Sequence, residues 1–124
     1  MRYPKFPYFR SQTHLRNVAS LACQWCGLDD GCQAAHSNHA HHGKGRGIKA
    51  SDEYTAALCQ ICHHMVDQSK LSRQERDDIW QTAHMRTYKK LKGLGLWPLD
   101  IDPYLEENDE AVAFLGVKNS HLFG

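Results

Sequence analysis

The stretch A56-A-L-C-Q-I-C-H-H-M-V-D-Q68 places two cysteines, two histidines and an aspartate within nine residues, Cys59 to Asp67. Its Cys59-x2-Cys62 spacing is half of a metal knuckle. The other half lies upstream as Cys23-Gln-Trp-Cys26, closed by Gly27, a residue suited to a left-handed turn. Thirty-two residues separate the pairs. One pair alone is a weak signal. Two pairs facing each other make a closed tetrahedral thiolate site, which suits a structural zinc. A redox Cys-x-x-Cys motif needs a thioredoxin-like βαβ setting, and the chain offers none. Five cysteines is an odd number, so a full disulfide framework is not expected. The fifth, Cys32, reads as a small buried residue or a substitute ligand.

The same stretch reads as the start of a helix. His63 and Asp67 are spaced i, i+4, so on a helix they project from one face about a turn apart. That geometry lets an imidazole and a carboxylate share a second, reactive divalent ion, such as magnesium, manganese or zinc. The cysteines would face the structural metal, and His64 would face solvent. A reactive ion also needs a third group and a base. "AAHSN" supplies His36, with Asn38 expected on the same strand face. His39 and His41 alternate onto the other face. His42 is a possible third ligand if the strand breaks before Gly43.

Composition sets outer bounds. The chain has 124 residues, 41% hydrophobic and 23% charged, the profile of one folded domain with a modest core that a metal staple would help. It has no run of 18 apolar residues and no signal-peptide pattern at the N-terminus, which points to the cytoplasm and away from membranes. The net charge of +1 is unevenly spread. Residues 1–20 carry Arg2, Lys5, Arg10 and Arg16 with no acid, whereas residues 97–124 carry six acids against Lys118. An acidic tail therefore masks a basic body.

Element signals fit an α+β arrangement. Ser11 caps a short helix through about Ser20, with Leu15, Val18 and Ala19 on one face. Residues 33–42 and 52–58 form a hairpin around the glycine-rich basic loop "GKGRGIK". "SRQE" (72–75) is a capping box opening the best helix in the chain, about 73–92. Ile79, Trp80, Ala83, Thr87 and Leu91 form its buried stripe, and Gly93 and Gly95 end it. Trp97 reads as core, and residues 104–115 as a short amphipathic helix. Lys44, Arg46 and Lys49 in the basic loop read as phosphate-backbone contacts, or else as part of a mobile polar loop.

Taken together, C-x2-C, "AAHSN", "GKGRGIKA" with "KASD", and "LCQICH" with Asp67 resemble the HNH, or ββα-metal, nuclease superfamily. The likeness is strongest to its small phage and prophage branch. It runs from about residue 8 to residue 92 and includes "FRS" and the "DQ…LS…ER…W…AH…T" helix. The resemblance implies a nuclease domain, placed at 1–96, and leaves the acidic extension over 97–124 outside it. It implies a ββα-metal core of hairpin plus helix, stapled by the four-cysteine zinc site and wrapped around one divalent ion, with flanking helices. It further implies DNA as substrate and a histidine general base; the chain would act as a monomer or homodimer, with or without a recombination or packaging partner. Carried over, His36 is the base and His63 with Asp67 bind the ion. Ala35 stands where many such sites carry a ligand, so His36 as ligand, with His41 or His42 as base, is the alternative. Asp52 or Asn38 would hold the imidazole tautomer.

Overall fold

The computed structural model describes residues 7–39, 42–45 and 47–103. The helix expected at 104–115, most of the acidic extension, His41 and Arg46 lie outside them. Five elements follow in order: α1 (Gln12–Ala19), β1 (Gln33–His36), β2 (Thr55–Leu58), α2 (Gln60–Gln68) and α3 (Arg73–Gly93). The strands pair antiparallel, with Gln33 opposite Leu58 and His36 opposite Thr55. This is a small α+β fold.

The helix starts follow from local chemistry. The Ser11 hydroxyl accepts from the His14 N–H at the mouth of α1. The Cys59 sulfur accepts from the Cys62 N–H at the start of α2. At α3 both halves of the Ser72/Glu75 capping box form. These contacts satisfy amide donors that have no partner within the helix. The end of α3 is a Schellman-type closure. Gly95 adopts φ +73, and the Leu96 N–H returns to the Leu91 carbonyl at 2.8 Å.

Both strands are shorter than the expected 33–42 and 52–58. After His36 the Ser37 hydroxyl accepts from the His39 N–H at 3.0 Å, turning the chain out of the ladder. Before Thr55, a turn closes from the Tyr54 N–H to the Ser51 carbonyl, and the Thr55 hydroxyl caps the Asp52 carbonyl.

The two-stranded sheet is buried between helices. On one face Ala35, Ala56, Leu58, Val66, Ile79, Trp80 and Ala83 pack together with Cys23, Cys59 and Cys62. On the other, Val18, Leu21, Ala57 and Leu91 pack together, with Trp97 against them. The expected α3 stripe is buried in full, and His84 joins it. In α1, His14 and Val18 are the buried residues, whereas Leu15 and Ala19 are half-buried. Among the described residues no helix is long and apolar enough to cross a membrane.

Candidate functional site

The four cysteines converge. The sulfurs of Cys23, Cys26, Cys59 and Cys62 all lie within 4.8 Å of one another. Cys26 Sγ and Cys59 Sγ are 3.7 Å apart, close to the ~3.8 Å expected between sulfurs sharing a tetrahedral zinc. Each knuckle turns an amide onto its first sulfur: Cys26 N–H to Cys23 Sγ at 3.4 Å, and Cys62 N–H to Cys59 Sγ at 3.5 Å. All four are free thiols. Burial pushes the Cys62 thiol upward, and contact with the other three sulfurs adds to it. Burial also opposes ionisation of Cys23, but amide hydrogen bonds from Cys26, Cys59 and Trp25 outweigh it and hold that thiol at about 6. A divalent cation would remove the cost of gathering thiolates in so small a volume. The cluster can hold a metal ion, and its chemistry is compatible with a structural zinc. Cys32 stands beside it, half-buried, with its thiol on the Leu28 carbonyl at 3.4 Å.

A different group forms around His36. Its Nε2 lies 2.9 Å from Asp52 Oδ1. Arg10 Nη1 donates to the same oxygen at 3.1 Å, and the Ser11 N–H donates to Asp52 Oδ2 at 2.8 Å. Burial pushes the Asp52 carboxyl up, but His36, the Ser11 amide and Arg10 together hold it below its ordinary value. An ionised Asp52 accepts from Nε2–H, so Nδ1 is the ring's proton acceptor. Burial lowers the His36 pKa, and the contact with Asp52 opposes this only in part. The imidazole is therefore neutral at neutral pH and able to take a proton. It lines a cleft of about 500 Å³ with Arg10, Leu15, Ile48, Lys49 and Asp52.

Arg10 went unnoticed in the sequence as a site residue. Its guanidinium reaches the Ala50 carbonyl at 2.6 Å and the Lys49 carbonyl at 2.8 Å, as well as Asp52. The contacts span about forty positions along the chain, and no local pattern announces them.

The other histidine–carboxylate pair also forms. His63 Nε2 and Asp67 Oδ2 are 3.1 Å apart along α2. His63 Nδ1 is 2.6 Å from Gln33 Oε1. The two ring nitrogens of His63 are thus each held by one oxygen, Nδ1 by Gln33 and Nε2 by Asp67. Asn38 Nδ2 donates to Asp67 Oδ1 at 3.1 Å, and that contact with His63 and Asn38 keeps the Asp67 carboxyl low against burial.

The structure divides the expected reactive site. Strand alternation places Gln33, the partner of His63, and His36 on opposite faces of β1. Asn38 does not share the strand face of His36, because β1 ends at His36. It reaches Asp67 instead, and Asp52 is the residue that holds the His36 ring. Among the described residues the four cysteines are the one group of three or more potential ligands that come together within 4.8 Å. His36 is thus not a third ligand beside His63 and Asp67 in this arrangement. Nor is His42. It is buried, paired with the Ser37 hydroxyl and stacked on Tyr54 at 4.3 Å between ring centroids. His39 sits 3.4 Å from Asp77 of α3, and His64 is exposed as expected. Lys49 lines the His36 cleft, whereas the Lys44 ammonium folds onto the Gly45 carbonyl.

No protein-family model, curated protein or solved structure matches the chain significantly.

Proposed function

We propose that the protein is a metal-dependent endonuclease that hydrolyses DNA phosphodiester bonds, stapled by a zinc ion on Cys23, Cys26, Cys59 and Cys62. The observation that carries this reading is the neutral, Asp52-held His36 in a cleft whose rim also presents Arg10 and Lys49. A phosphodiester needs that combination: a proton acceptor for the attacking water and fixed positive charge for the phosphate. His36 Nδ1 takes the proton as the water oxygen bonds to phosphorus. Asp52 steadies the imidazolium that results. Arg10 and Lys49 hold the non-bridging oxygens while the P–O3′ bond breaks. The His63–Asp67 pair, with Asn38 behind the carboxylate, is the candidate holder of a hydrated divalent ion, which the substrate would have to reach from the other side of β1. Such an ion would polarise the phosphate and stabilise the leaving oxygen.

Plasmid nicking tests the proposal. Wild-type protein should convert supercoiled DNA to open-circle or linear forms with added magnesium or manganese. Chelation should stop it, and so should His36→Ala or His63→Ala. Zinc-dependent DNA binding without cleavage under any metal would instead favour a non-catalytic zinc-stapled binding module.

A further inference from the structure

The loop after β1 carries an apolar residue where a purely phosphate-gripping loop has no use for one. Gly45 and Ile48 exchange both backbone hydrogen bonds, each at 3.0 Å, which closes the tightest kind of hairpin turn. Gly47 takes φ +69 within it, with open space where a side chain would stand. The conformation, not crowding, calls for glycine there. Ile48 emerges from this turn 46% exposed.

The turn is anchored on both legs. The Tyr8 hydroxyl donates to the Gly43 carbonyl at 2.6 Å, and Arg10 clamps the Lys49 and Ala50 carbonyls. The Ser51 N–H closes the base onto the His42 carbonyl at 2.9 Å. Lone exposed aliphatic residues are common and usually mean nothing. This one is β-branched, held on a pinned turn, bracketed by Lys44 and Lys49, and lines the same cleft as His36.

We propose that Ile48 is a wedge that enters the base stack beside the phosphate held in the His36 cleft. The inference rests on the nuclease reading and narrows its substrate to helical nucleic acid that yields at one step. The flanking lysines supply sequence-independent attraction to the backbone, and hydrogen bonds at Gly43, Lys49 and Ala50 reduce the ordering entropy spent when the side chain inserts. Unstacking a step is costly, so flexible pyrimidine–purine steps and mismatches are the favoured sites.

The test uses full-length His36→Ala protein, which binds without cutting, on short duplexes carrying 2-aminopurine at a TA step. Saturating protein should raise the fluorescence several-fold as the base unstacks. Adding Ile48→Ala should abolish the rise, with the salt dependence of binding and the zinc content unchanged. Tight binding with no rise, or an equal rise in the Ile48→Ala protein, overturns the wedge and leaves the nuclease reading standing. Absence of binding to duplex and single-stranded DNA at low salt overturns both.

Discussion

At the scale of single residues, the group that stands out is Arg10–Asp52–His36, assembled from the lead-in, the loop before β2 and the end of β1. Asp52 gives a sharp prediction. Asp52→Asn keeps the shape but offers an amide where the imidazole needs an anion. Cleavage should fall by about 10²–10⁴-fold, the range spanned by general base catalysis, with unchanged DNA affinity in a binding assay. In the wild type, cleavage should increase with pH through a midpoint below 6.5, because burial lowers the His36 pKa and the neutral ring is the active form. A flat profile from pH 5 to 8 would remove His36 from the role of base. Two further histidines lie outside the cleft and matter for stability. Burial lowers the pKa of His14, and lowers that of His84 to about 4. His84 is fully buried, stacked on Trp80 at 4.9 Å and bonded through Nδ1 to the Thr55 carbonyl. The unfolded chain binds protons at these sites below pH 6.5, whereas the folded chain resists. Stability is therefore complete above 6.5 and lost as pH falls toward 4. His84 alone accounts for on the order of 3 kcal/mol of that loss. Urea melts of wild type and His84→Phe across pH 4–7 should show the variant with the shallower slope.

At the scale of elements, helix starts were legible because capping is local chemistry. Ser72 and Glu75 stand three residues apart in sequence, and the box they imply forms. Ser72→Ala should cost about 1 kcal/mol, read as a shift in denaturant midpoint with an unchanged slope. Trp80 belongs to the same helix but to another class of effect. It is 4% exposed, and its indole N–H donates to the Ala35 carbonyl at 2.9 Å. Trp80→Ala should cost about 3–5 kcal/mol, with the unpaired carbonyl adding to the cavity. The strands were less legible. Runs such as "QAAHSNHAHH" carry no hydrophobic alternation strong enough to fix an end. What fixes it is the Ser37 hydroxyl turning onto the His39 amide, a choice made by tertiary fit. The early strand end has a direct consequence at the site: it sends Asn38 to Asp67 instead of to the face of His36. The buried histidines were missed for a related reason. His14 and His84 look polar in any periodic pattern, yet an edge-to-face contact with Trp97 and a stack on Trp80, respectively, make them core residues.

At the scale of the whole molecule, the four cysteines bring together two parts of the chain that are far apart in sequence. Cys23 and Cys26 sit in the loop between α1 and β1, and Cys59 and Cys62 sit at the junction of β2 and α2. This was the part of the site most legible from spacing, since two C-x2-C pairs define a donor set without any knowledge of the sheet. The His36 and His63 groups were half legible: each partner pair formed, but their placement on opposite sides of β1 depends on strand register. The apolar interior is small, with alanine contributing Ala35, Ala50, Ala56, Ala57 and Ala83 among its buried hydrophobic residues. Such residues bury little surface, so the hydrophobic term alone leaves a narrow margin. Binding of a metal by four thiolates is coupled to folding and in small domains supplies on the order of 10 kcal/mol. The protein should therefore carry one zinc per chain by native mass spectrometry and lose its cooperative thermal transition when a strong chelator removes it. Cys59→Ser should reproduce that loss through the metal alone, because Cys59 belongs to the donor set while serine preserves the N-cap of α2. Cys32→Ser should retain both metal and transition, since its thiol stands beside the cluster and not in it. A Cys59→Ser protein that melted cooperatively with full metal content would remove the four-cysteine staple from the account of this fold.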